Sequence, residues 1–226
     1  MKVIVFGATG MVGQGVLREC LEDDRVRSVL VIGRRSVGLT HSKLTELVRS
    51  DLDDLDPIAD QLTGYDATFF CLGVSSVGMT ESEYRRVTYE LTLAVAGTIA
   101  GVSPGSIFVY VSGQGTDSSE RGRVRWARVK GATENALRGL PLRCYFFRPG
   151  FIRPMHGVRS KTRVYAVVYA VVRPLYPLLR RLTPGWATTS EAVARAMIAL
   201  ADPRTPDPAT PNHVLENRQI NALAGQ

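Results

Sequence analysis

Cysteine, histidine, lysine and tryptophan are all scarce in this chain of 226 residues. Its three cysteines (Cys20, Cys71, Cys144) form no C-x-x-C pair and sit among apolar residues. That excludes a disulfide framework or a zinc site and points to buried, reduced thiols in a cytoplasmic protein. The three histidines (His41, His156, His213) have no paired spacing either, so no metal site is expected. No helix-turn-helix, zinc-finger or RNA-binding signature is present, and nucleic acid ranks last among possible partners. No internal repeat and no second full domain are visible. A strand-like run begins at Lys2, so no signal peptide is expected.

Otherwise the composition is that of an ordinary globular domain, 45% hydrophobic and 22% charged. Its net charge of +7 is unevenly spread. Residues 1–120 carry 10 basic against 16 acidic residues, whereas 121–181 carry 15 basic residues against Glu134 alone. A basic block of that size marks something anionic nearby: a phosphorylated ligand, a membrane surface or nucleic acid. Only four of the 28 basic residues are lysine, which also fits a genome-wide taste for arginine.

The most informative stretch is the first 35 residues. Val3-Ile4-Val5-Phe6 is an apolar run suited to a strand buried on both faces. Gly7-Ala8-Thr9-Gly10-Met11-Val12-Gly13 follows, then a helical pattern with Val12, Val16, Leu17, Cys20 and Leu21 on one face, then the strand-like Val29-Leu30-Val31-Ile32. Strand, glycine turn, helix and strand form a βαβ unit of the dinucleotide-binding kind. In such a turn Gly7 takes a conformation closed to other residues, Gly10 admits a pyrophosphate, and Gly13 lets helix and strand approach. The helix start offers N–H groups and about half a positive charge to the phosphates.

The G-x-x-G-x-x-G spacing of Gly7 to Gly13 resembles the turn of the extended and atypical short-chain dehydrogenase/reductase superfamily, which includes epimerase/dehydratase-like reductases. The resemblance implies an α/β Rossmann-type fold, a doubly wound parallel sheet, binding NAD or NADP. It is strong at the N-terminus and weak after about residue 155. The chain is expected to be one domain over 1–226, with 151–226 forming a small C-terminal helical lobe on the substrate side.

Between the two cofactors, the end of the second strand decides. An NAD site places a carboxylate there for the ribose hydroxyls. This chain has Gly33-Arg34-Arg35, and two guanidinium groups suit the 2′-phosphate of NADP(H). Two solvated surface arginines are the plainer alternative.

Further along, Leu44 to Arg49 leads as a third strand into Asp51 and Leu52, and the resemblance makes Asp51 a candidate for the adenine amino group. Asp53, Asp54 and Asp56 read equally well as a solvated helix start. Ala67 to Leu72 forms a fourth strand containing Cys71 and Leu72 and ending at Gly73, where the superfamily passes its backbone beside the cofactor ribose. Thr80-Glu81-Ser82-Glu83 is a capping box opening a helix to about Gly101, which carries Tyr84 and Tyr89. Ile107 to Val111 is a fifth strand, closed by Ser112. Gly113 to Gly122 is polar and glycine-rich, a candidate lid.

The resemblance makes Ser112 the serine that polarises a substrate carbonyl. It also leads one to look for Tyr-x-x-x-Lys, in which tyrosine passes a proton and lysine holds the ribose and lowers the tyrosine pKa. Here the sequence reads Trp126-Ala127-Arg128-Val129-Lys130: the lysine is in place and the tyrosine is not. An indole donates a hydrogen bond but is no acid near neutral pH, and losing a general acid costs about 100- to 10,000-fold. Three readings stay open: a non-catalytic protein that senses or stores NADP(H), another donor such as Ser112, Tyr84 or Tyr89, or a reaction needing no strong acid.

Leu140 to Phe147 is a sixth strand, followed by Arg148-Pro149-Gly150, which resembles the segment bordering the nicotinamide in extended members. Val164 to Leu179 is largely apolar but interrupted by Arg173, Pro174 and Pro177. Even as ideal helix it reaches only about 24 Å, short of a bilayer core of ~30 Å. Pocket cover or a homodimer contact is the preferred reading, with peripheral membrane contact as a third. Thr188 to Glu191 caps a helix over 192–201, a proline-rich loop follows, and Val214-Leu215 reads as an edge strand before a short final helix.

Overall fold

The structure, a computed structural model, describes residues 1–155, 187–208 and 210–225. Its centre is a seven-stranded, wholly parallel sheet. The strands are β1 (Lys2–Phe6), β2 (Ser28–Gly33), β3 (Leu44–Val48), β4 (Ala67–Phe70), β5 (Ile107–Val111), β6 (Arg143–Arg148) and β9 (Val214–Glu216), in the order β3-β2-β1-β4-β5-β6-β9. A two-stranded parallel ribbon pairs β7 (Phe151–Arg153) with β8 (Ala187–Thr189). The main helices are α1 (Met11–Glu22), α2 (Glu81–Arg85), α3 (Leu91–Val102), α4 (Arg125–Leu137), α5 (Ser190–Ala201) and α6 (Asn217–Leu223).

Strand side chains alternate between two cores, as burial on both faces demands. Val3, Val5, Val29, Val31 and Phe69 face Val16, Leu17 and Cys20 of α1 and Val193, Met197 and Leu200 of α5. Ile4, Phe6, Leu30, Ile32 and Phe70 face Ile58 and Leu62 of a 3₁₀ turn and Val95, Ala96 and Ile99 of α3. Phe70 stands 5.7 Å from both Phe6 and Phe108, an aromatic seam across three adjacent strands.

Of the residues expected in a C-terminal lobe, those described after 187 include much of this scaffold. Nearly all of α5 is buried against α1, where Gly15 leaves room for Ser190. The buried carboxylate of Glu19 receives Arg195 at 2.7 Å, and β9 closes the sheet beyond β6. The stretch from 164 to 179 lies outside the described residues.

The helix opened at Thr80 has its capping box and runs on to Val102, with Arg86–Glu90 as a π turn between α2 and α3. The Thr92 hydroxyl donates to the Thr88 carbonyl at 2.6 Å. One expectation needs correction: the 113–122 segment is not a loose lid. The Asp117 amide donates to the Ala127 carbonyl, Asn135 donates to the Ser118 carbonyl, and a side chain on Gly131 would strike the Asp117 carbonyl. The loop is fastened along α4.

Candidate functional site

Because every strand of the main sheet runs the same way, the segments after β1, β2, β3, β4, β5 and β6 gather along one edge. The strand order reverses between β1 and β4, which opens a crevice there. The sequence candidates at Gly7 to Gly13, Arg34, Arg35, Asp51, Leu52, Cys71 to Gly73, Ser112 and Arg148 to Gly150 all lie on that edge.

The glycines of the first turn separate into two kinds. Gly7 has φ +79°, and a Cβ there would lie 2.7 Å from the backbone of Cys71 and Leu72. A side chain on Gly13 would collide with the Gly7 carbonyl. The fold itself therefore requires both. Gly10 is different: its φ of −84° suits any residue, and an added Cβ would meet only the Gly7 carbonyl, at 3.2 Å. Gly73 has open space around it. The fold alone therefore does not require glycine at position 10. The start of α1 has no side-chain cap and no acidic residue in its first turn, so nothing there competes with an anion.

Arg34 and Arg35 are exposed, and among the described residues neither has an ion-pair or hydrogen-bond partner. The carboxylate of Glu46 accepts from the Ser36 hydroxyl and the Val37 amide. Asp51 is exposed and accepts the Asp53 amide at 2.8 Å, a local turn, while Leu52 is buried in the core. Cys71 is a partly covered thiol pushed up to about 12 by burial, and burial raises Cys20 as well.

At the end of β5, Lys130 reaches from α4 to donate to the Ser112 carbonyl. Burial pulls its pKa down to about 8, with Glu134 acting against the shift. The Ser112 hydroxyl is 3% exposed as a residue and donates to the Phe147 carbonyl at 3.1 Å. Sequence reasoning missed this bond, because the acceptor is a backbone oxygen 35 residues away. Trp126 lies one helical turn before Lys130 on the same face, and its indole packs over Gly115. A pocket of about 210 Å³ opens beside it, between the loop after β4 and the start of α4. Met79, Tyr84, Val124 and Trp126 give it an apolar lining, with Ser76, Thr80, Glu81 and Arg125 at its polar side. Glu81 is held by Arg128 at 3.0 Å, which ties α2 to α4 beneath it.

Arg148, expected to border the nicotinamide, has its guanidinium on the buried Glu134, at 3.0 and 2.5 Å, and on the Ser118 hydroxyl at 2.5 Å. Pro149 and Gly150 form the turn behind it, with the Pro149 carbonyl accepting from Gln114 and the Gly150 amide donating to Asn217. Of the other possible proton donors, Tyr84 is buried and lines the pocket, whereas Tyr89 lies under the Arg85 guanidinium at 4.0 Å.

A larger cleft of about 520 Å³ lies at the opposite edge of the sheet, among the strand starts. Two of its four guanidiniums are ion-paired, Arg204 with Asp202 at 2.8 Å and Arg25 with Asp23 at 2.7 Å. Ligands of open parallel sheets bind beyond the other ends of the strands, so the chemistry belongs to the Gly7–Ser112 edge. No helix among the described residues is long and apolar enough to cross a membrane.

Comparison with known proteins agrees with this geometry. A model of the NAD dependent epimerase/dehydratase family matches residues 3–117. Protein fmp52, mitochondrial, of Aspergillus fumigatus is 26% identical over 206 residues, 87% of this chain and 85% of that protein. Protein HTATIP2 of Rattus norvegicus is 28% identical over 154 residues, 67% of this chain and 62% of that one. The Bordetella bronchiseptica enzyme WbmF in complex with NAD+ superposes with a TM-score of 0.67 at 18% identity, over 99% of this chain and 76% of that one. A Burkholderia thailandensis oxidoreductase of the short-chain dehydrogenase/reductase family does so at 0.67 and 17%, over 95% and 90%. The two structures speak to the fold, and the fungal relative's mitochondrial name does not support a cytoplasmic location. With the family matched across the whole phosphate-binding half, this chain belongs to the NAD dependent epimerase/dehydratase family and has its nicotinamide-dinucleotide-binding fold.

Proposed function

We propose that the protein is an NADP(H)-dependent oxidoreductase acting on a small carbonyl-like substrate. The observation that carries this reading is the pair of exposed guanidiniums of Arg34 and Arg35, unpartnered among the described residues, at the end of β2, where an NAD site would have a carboxylate. Gly7 to Gly13 would hold the pyrophosphate, Arg34 and Arg35 the 2′-phosphate, and Lys130 the nicotinamide ribose. The dinucleotide supplies or removes a hydride when bound. The pocket beside Trp126 gives the substrate its place, one turn from Lys130.

A second reading has its own observation. Trp126 replaces the usual acid and the Ser112 hydroxyl is turned to a backbone carbonyl, which suits a non-catalytic NADP(H)-binding regulator. Oxidation of NADPH measured against a panel of carbonyl compounds separates the two. Turnover that falls at least tenfold in Lys130→Ala supports the enzyme. Tight NADPH binding with no turnover on any acceptor leaves the regulator.

A further inference from the structure

The groups that normally protonate and polarise a carbonyl oxygen are both missing from their task here. Position 126 is an indole, and the Ser112 hydroxyl gives its hydrogen to Phe147. A simple ketone or aldehyde that receives a hydride becomes an alkoxide, a base far too strong to persist without an acid beside it. A quinone becomes a phenolate, in which the ring spreads the charge and water can deliver the proton later. The pocket matches that substrate in shape and chemistry. Trp126 and Tyr84 offer aromatic surfaces, Met79 a polarisable thioether, and the volume of about 210 Å³ suits a compact ring system rather than a long chain.

We propose, building on the oxidoreductase reading, that the hydride acceptor is a small quinone seated against Trp126 and Tyr84. The overall change is balanced: the quinone takes up two electrons and two protons, one proton arriving with the hydride from NADPH and the other from water, to give the hydroquinone and NADP+. Ser76 lines the pocket and can hydrogen-bond a quinone oxygen, whereas the Thr80 hydroxyl beside it is held by Glu83 in the capping box.

The test uses menadione as the probe, first without any dinucleotide. Quinones quench tryptophan emission on contact, so titration should quench part of the protein's fluorescence saturably. Trp126→Phe should remove that part, leaving the contribution of Trp186. With NADPH present, menadione should be reduced at least 100-fold faster than cyclohexanone or propanal. Trp126→Tyr, which restores the acid, should raise cyclohexanone reduction at least tenfold. The proposal is overturned if menadione leaves Trp126 emission unchanged, or if the simple carbonyls are reduced as fast as menadione. It is equally overturned if Tyr84→Phe abolishes reduction while menadione still binds, because Tyr84 would then be the proton donor. NADPH binding without menadione reduction defeats the quinone assignment alone; failure to bind NADPH defeats the oxidoreductase reading with it.

Discussion

Lys130 and Ser112 are joined by a hydrogen bond from the ammonium to the backbone carbonyl, so the lysine is anchored to the end of β5 before any ligand arrives. That position fixes α4 against the sheet edge and leaves the ammonium short of water, which is why its pKa drops to about 8.

A pH dependence follows. Above pH 8 Lys130 loses its proton in the free protein, and with it part of its donor strength toward a ribose. NADPH affinity should weaken about tenfold from pH 7 to pH 9, since each unit above the pKa removes tenfold of the charged form. Calorimetric titration across that range checks it, and Lys130→Met should flatten the profile. The stability contribution has the opposite sense. The folded pKa lies below the ordinary 10.5, so the unfolded chain holds more protons between about 8 and 10.5, and this group's contribution to stability improves as pH rises through that window.

The contrast between Gly10 and Gly13 separates folding from binding. Gly13→Ala places a methyl on the Gly7 carbonyl and should lower the melting temperature by several degrees. Gly10→Ala meets only one backbone oxygen at 3.2 Å and should melt within about 2 °C of the parent. Yet it should weaken NADPH binding at least tenfold, because the methyl stands where the pyrophosphate approaches. Equal behaviour of the two variants would contradict the assignment of that turn.

Arg148 and Glu134 form a buried ion pair whose acid is wholly covered. Arg148→Met leaves that charge with Arg138, at 3.7 Å, as its one remaining ion-pair partner among the described residues, and should cost about 3–5 kcal/mol. At roughly 2–4 °C per kcal/mol the melting temperature falls by about 6–20 °C. Hydrogen exchange should also speed up around Ser118, which loses its bond to the guanidinium. A loss below about 1 kcal/mol would show that the pair does not hold the loop.

Much of this was legible in the residues themselves. Strands such as Val3–Phe6 and Ile107–Val111 are apolar on both faces, so continuous runs revealed them, and the glycine turn announced the first βαβ unit. What escaped was long-range. Arg148 turns to Glu134 across the β6–α4 contact, and only the isolation of Glu134 as the single acid in a basic block hinted at a buried partner. The fastening of the 113–122 loop depends on Gly131, which in sequence looks like any helical glycine. The π turn at Arg86–Glu90 lies inside one unbroken helix and leaves no mark in the residue pattern. The Ser112 bond to Phe147 likewise depends on strand register.

The central claim is that the β2 terminus recognises a phosphate. Titrating the protein with NADPH and with NADH by calorimetry tests it most directly, alongside the variant carrying Arg34→Ala and Arg35→Ala. The account predicts that NADPH binds at least tenfold more tightly than NADH and that the double variant binds both alike. Saturating NADPH at 100 times its Kd should add about 2.7 kcal/mol to the parent's stability. Equal affinity of the unaltered protein for the two dinucleotides, or a preference untouched by the double substitution, would contradict it.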